Sequence, residues 1–205
     1  DPGHAAALEI FCRKLAARTT KPSFIKMQCA GPLTFCLELK DETGRPLFFN
    51  DTFREALVYQ IKLQSAWLLE KLAPLAEKPI FFLDEPYLAA FGSSALLGID
   101  RQQVLDNLRP LVEFLKNRGT LVGTHVCGNT DWTMLIDCGM DILNGDVFNF
   151  GRQFVIYAPQ LQTFLRSGGF IAWGIVPNNE KALEHDVASL EVRLLELVDE
   201  LAGGE

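Results

Sequence analysis

The chain has 205 residues, 48% of them apolar and 22% charged, and carries a formal net charge of −7. That is enough to bury one sizeable core, and the acidic balance with scattered basic residues argues against nucleic acid, which needs a basic face. No apolar run approaches the roughly 18–20 residues needed to cross a bilayer, and the amino end does not read as a signal peptide, so no membrane role is expected.

In chain order, short apolar runs alternate with longer helical patterns, the signature of parallel βα units. A first helix is predicted over 4–17. A strand follows over 23–30 and ends in the turn Gly31-Pro32-Leu33-Thr34. A helix opens at Thr52 with Glu55 three residues on, a capping box, and runs to Ala73 before Pro74. Ile80-Phe81-Phe82-Leu83 is a strand buried on both faces. Asp100 and Gln103 cap a third helix that stops at Gly119. Strand 121–126, a short helix over 130–139 and strand 141–144 come next. Pro159 opens a helix that closes at Gly168-Gly169, and strand 170–176 follows. The last helix, 184–201, shows an apolar stripe at Val187, Leu190, Leu194, Leu197, Val198 and Leu201, read as a core-facing side.

The five cysteines, Cys12, Cys29, Cys36, Cys127 and Cys138, are odd in number and several lie in apolar stretches. This reads as reduced thiols in a cytoplasmic protein, not as a disulfide framework.

Five βα units in one unbroken series fit either an open doubly wound sheet or part of a (β/α)₈ barrel. The polar residues tip the reading toward the barrel, because each strand ends at its carboxyl side in unusual chemistry. These endings are Gln28, Asp84-Glu85-Pro86, His125-Val126-Cys127, Asn144-Gly145-Asp146 and Pro177-Asn178-Asn179, and that edge is where parallel α/β folds bind ligands.

On a strand, His125 and Cys127 point the same way, and both are good zinc ligands. The plain alternative is a chance pair with an inert thiol. Asp84 and Glu85 are expensive to bury without a cation or donors, so they suit a substrate ammonium or general acid/base work; a solvated loop start is the alternative. Asp146 is either an oxygen ligand to the same metal or a turn residue. Thr34 offers a hydroxyl at a helix start, or belongs to a rigid loop. Cys138 reads as packing, and Cys29 is the best spare ligand among the other cysteines.

Taken in order, Gly-Pro-Leu-Thr (31–34), Leu-Asp-Glu-Pro (83–86), Thr-His-Val-Cys-Gly-Asn (124–129) and Asp-Ile-Leu-Asn-Gly-Asp (141–146) resemble the catalytic barrel of cobalamin-independent methionine synthase. They also resemble its relatives, the corrinoid-dependent methyltransferases and uroporphyrinogen decarboxylase, over about residues 21–180. The resemblance implies a single (β/α)₈-type barrel domain over residues 1–205, incomplete, with the five strands standing as its third to seventh and the first two and the last missing. It implies a zinc-dependent S-methyltransferase that moves a methyl group from methyltetrahydrofolate or a methyl-corrinoid protein to a zinc-activated, homocysteine-like thiol. In that reading His125, Cys127 and Asp146 hold the metal, with Asp146 standing where the synthases carry glutamate. Asp84 receives the substrate amine, and Glu85, Gln28 and Asn129 line the pocket.

The chain lacks the family's final cysteine ligand. Open sheet edges would favour pairing with another chain, so a homodimer is expected if this length is native. Two other readings stay open. One is a metal-free, decarboxylase-like enzyme with Arg101 and Arg152 at the pocket mouth. The other is a non-catalytic paralogue that binds a ligand without turnover.

Overall fold

The computed structural model describes residues 5–203. Its strands form where short β-branched and aromatic runs are bounded by turn residues. They are β1 (Phe24–Ala30), β2 (Lys78–Asp84), β3 (Leu121–Val126), β4 (Ile142–Gly145) and β5 (Phe170–Trp173). The helices are α1 (Ala6–Ala16), α2 (Pro32–Glu38), α3 (Asp51–Leu72), α4 (Arg101–Lys116), α5 (Trp132–Asp137), α6 (Val147–Val155), α7 (Ala158–Arg166) and α8 (Val187–Ala202). The result is an α/β fold, as expected.

All five strands are parallel and pair in chain order, β1-β2-β3-β4-β5. A doubly wound sheet needs a reversal in strand order, and this sheet has none. Right-handed crossovers that always advance in one direction put the helices on one side. The burial pattern agrees: Ile25, Met27, Phe81, Leu83, Val122 and Leu143 join one apolar core with helix residues such as Leu69, Leu108, Leu111 and Leu161.

The opposite face of the sheet carries a different set of side chains. Strand pairing sets Gln28 beside Phe82, Phe82 beside Gly123, Gly123 beside Ile142 and Ile142 beside Phe170. One row nearer the carboxyl edge, Asp84, His125, Asn144 and Ala172 are successive partners. Toward the outer strands this face is open, with Phe24 and Phe170 more than half exposed.

Gly123 makes room for the aromatic row. A Cβ there would stand 2.5 Å from the Phe82 ring, which also lies under the Lys26 ammonium at 4.4 Å. Gly123→Ala should therefore cost about 1–3 kcal/mol through overpacking, read as a lower urea midpoint with an unchanged slope.

Several local expectations shift. The helix start over 4–17 falls partly outside the described residues, and α1 runs Ala6–Ala16. The α3 cap is Asn50, whose side chain accepts from Phe53 N at 3.2 Å, and not the Thr52–Glu55 box. The Asp100–Gln103 box at α4 is present in both halves. The turn at Gly31–Thr34 is the start of α2, and a further helix, α6, begins directly after β4. The stripe on α8 is buried only toward its end: Leu197 and Leu201 are buried, while Val187 is 82% exposed. No described helix is long and apolar enough to cross a membrane.

Candidate functional site

Strand β3 delivers His125 to the carboxyl edge of the sheet, and Cys127 follows in the bend just beyond it. His125, Cys127, Asn144, Gly145 and Asp146 line one cleft of about 140 Å³, closed on the far side by Gly174, Val176, Pro177 and Asn178. Glycine is required at its wall. A Cβ on Gly174 would stand 2.4 Å from the Gly145 oxygen, and one on Gly145 would meet the Trp132 ring at 2.7 Å. Behind this wall Trp132, Phe154 and Trp173 stack edge to face, with centroids 4.8 and 5.6 Å apart.

His125 is half-buried. Its Nδ1 lies 2.6 Å from Asn144 Oδ1, and Asn144 Nδ2 donates to the Ala172 oxygen at 2.6 Å. The sequence marks Asn144 only as part of a polar strand ending and gives it no partner. Only its position, two residues before Asp146 on the strand that follows His125, hinted at one.

Cys127 is exposed, whereas Cys29 is half-buried and Cys138 is buried. Burial pushes the Cys29 thiol up to about 12, and Cys29 lies on the helix side of β1 beside Ser65. It does not reach the cleft as a spare ligand. Cys138 is buried, as expected for packing, and its thiol is likewise pushed up to about 12 by burial.

Asp84 sits next to His125 in register. It accepts from Gln28 Nε2 at 3.1 Å, and Lys26 in turn donates to Gln28 Oε1. Partial burial raises the Asp84 carboxyl above its ordinary value, against the pull of Lys26 and His125. The pair Gln28–Asp84 thus adjoins the cleft on the open face of the sheet. Asn129 is exposed in the loop after β3 and does not line the cleft.

Glu85 is placed elsewhere, and this corrects its reading as a pocket acid. It is fully buried, and its carboxylate accepts from Leu33 N at 2.9 Å, Thr34 N at 2.7 Å and Thr34 Oγ1 at 2.6 Å. Gly31, the residue before α2, has no side chain with which to cap it. Glu85 supplies that cap from β2, leaving no oxygen of its own turned to the cleft. Gly31 also yields the space, since a Cβ there would fall 2.1 Å from Glu85 Oε1.

Burial pushes Glu85 from its ordinary value near 4.5 up to about 7, opposed by the Thr34 and Leu33 hydrogen bonds. A raised folded-state pKa stabilises the protein below the unfolded value and loses that contribution as pH rises through the folded one. Urea unfolding between pH 4.5 and 8 should therefore show stability falling with rising pH, most steeply up to about 7. The slope should flatten in Glu85→Gln.

Zinc asks for about four donors. An imidazole with one nitrogen already hydrogen-bonded and an exposed thiol in the same cleft suit it chemically. Asp146 does not, as it stands. It is the N-cap of α6, accepting from Asn149 N at 3.0 Å through Oδ1 and from Asn149 Nδ2 at 2.6 Å through Oδ2. Among the described residues, no group of three or more His, Cys, Asp or Glu is arranged to hold a metal.

Arg101 and Arg152 are placed differently from each other. Arg101 is committed to Asp131 at 2.6 Å and to Asp137, tying α4 to α5. Arg152 is exposed beside a separate cleft of about 600 Å³ between α6 and α8.

Comparison of the chain with protein-family models, with curated proteins and with solved structures found no match in any of the three.

Proposed function

We propose that the sheet is a stretch of a (β/α)₈-type barrel wall and that the chain works as a zinc-dependent S-methyltransferase, akin to cobalamin-independent methionine synthase. One observation carries this reading: His125 and Cys127 share a cleft at the carboxyl edge of a parallel sheet, with Asp84 next to His125 on the same face. His125, through the ring nitrogen that Asn144 leaves free, and Cys127, through its thiolate, are the protein donors. Zinc held there would lower the pKa of a bound substrate thiol and keep it nucleophilic at neutral pH. Asp84, steadied by Gln28, receives the ammonium of an amino-acid thiol of the homocysteine type. The substrate thiolate sulfur would form the new bond to the methyl carbon as the bond from that carbon to the folate nitrogen or the corrinoid cobalt breaks. The donor would keep that electron pair, and the proton given up by the thiol would be matched by one taken up at the folate nitrogen.

Mass-spectrometric assay of thiol methylation tests this, with the zinc-loaded protein, homocysteine and each donor in turn. Methionine formed with one donor, and lost in Asp84→Asn through a higher KM, is the expected result. No product with either donor, while zinc and thiol both bind, would replace the enzyme with a ligand-binding paralogue.

A further inference from the structure

The amide that meets His125 has its own orientation fixed. A main-chain oxygen only accepts, so the Asn144 atom that faces the Ala172 oxygen must be Nδ2. Oδ1 is then the atom opposite His125 Nδ1. An amide oxygen also only accepts, so Nδ1 carries the hydrogen and the neutral ring keeps its lone pair on Nε2. The arrangement is built into the sheet, because His125 pairs with Asn144 and Asn144 with Ala172 across β3, β4 and β5. A side chain on β4 and a main-chain oxygen on β5 together decide which nitrogen of a β3 histidine can donate electrons.

We infer that Asn144 is a positioning residue for the cleft: it locks His125 in the Nδ1–H form, so that Nε2 stands as the electron-pair donor beside Cys127. Hydrogen-bonded partners of this kind fix the ring of ligating histidines and raise their basicity. That Nε2 serves a metal rests on the zinc reading proposed above; the state of the ring does not.

Long-range proton–nitrogen correlation spectra of the metal-free protein read this state directly, recorded at a pH where imidazoles are neutral. His125 is identified by the signals lost in His125→Gln among the chain's three histidines. The native protein should show the Nδ1–H pattern. Asn144→Leu, of similar volume but without the acceptor, should release the ring to the Nε2–H form. Zinc affinity, measured by competition with a chromogenic chelator, should fall roughly 10–100-fold in Asn144→Leu. An Nε2–H pattern in the native protein would overturn the inference whatever the variants do, and so would an unchanged pattern in Asn144→Leu. A ring state that follows Asn144 while zinc binds none of the proteins would uphold the inference and sink the zinc reading instead.

Discussion

Glu85→Ala should lower the stability of the fold by about 3–5 kcal/mol, a figure reached by summing orphaned donors and lost packing. Leu33 N, in a fully buried residue, and Thr34 N, in a part-buried one, would both lose the carboxylate that accepts from them. Each orphaned buried N–H costs about 1–3 kcal/mol, and the truncated side chain leaves a void besides. The positive end of α2 would also lose the carboxylate that faces it. Thr34→Val removes one of the three bonds and should cost about 1 kcal/mol. Gly31→Ala should approach the Glu85→Ala loss, because its Cβ and the carboxylate claim the same space. Equilibrium unfolding in denaturant gives all three values. A change below about 1 kcal/mol in Glu85→Ala would mean that α2 finds another cap.

His125→Ala and Cys127→Ser should each abolish tight zinc binding while leaving the unfolding midpoint nearly unchanged. The thermodynamic contrast with Glu85 follows from position. Cys127 is exposed and His125 lies on the open face of the sheet, so neither truncation opens a hole in the core. Elemental analysis should find about one zinc per native chain and none in either variant. Cobalt substitution adds a finer readout, since a thiolate-to-metal absorption band should vanish in Cys127→Ser. Asp146→Asn should keep both the metal and the α6 cap, because an amide oxygen can still accept from Asn149 N. Zinc lost from Asp146→Asn would show that the carboxylate leaves its cap to bind the metal. Full zinc affinity in His125→Ala would remove this cleft from consideration as the metal site.

The strands were legible because their apolar runs are short, β-rich and closed by turn residues. Their parallel sense followed from the helices between them, whereas the barrel-like order was suggested only by the polar residues at their carboxyl ends. The cap at Asp100 was legible because both halves of the box lie within four residues. What escaped the sequence depends on partners far along the chain. Glu85 and Thr34 are 51 residues apart, and nothing local reveals that a helix start lies over that acid. Asn50 captured the start of α3 from Thr52 because its side chain reaches Phe53 N and sets the helix in motion one residue before Thr52. α6 hid behind the metal reading of Asp146, a residue whose side chain caps that helix. Asn144 stands in the sequence only as one polar strand ending among others, because its partners lie on the strands on either side of it.

The consecutive strand order has a consequence for how the molecule is made. Each strand pairs with the one synthesised just before it, and none waits for a segment from a distant part of the message. Glu85, arriving with the second strand, meets a helix start that has already left the ribosome. The sheet can therefore lengthen at one margin as translation proceeds, with each new strand finding a finished template. In such nearest-neighbour growth each pairing closes only the one crossover between its two strands, so the loop-closure cost stays below what a non-consecutive strand order would demand.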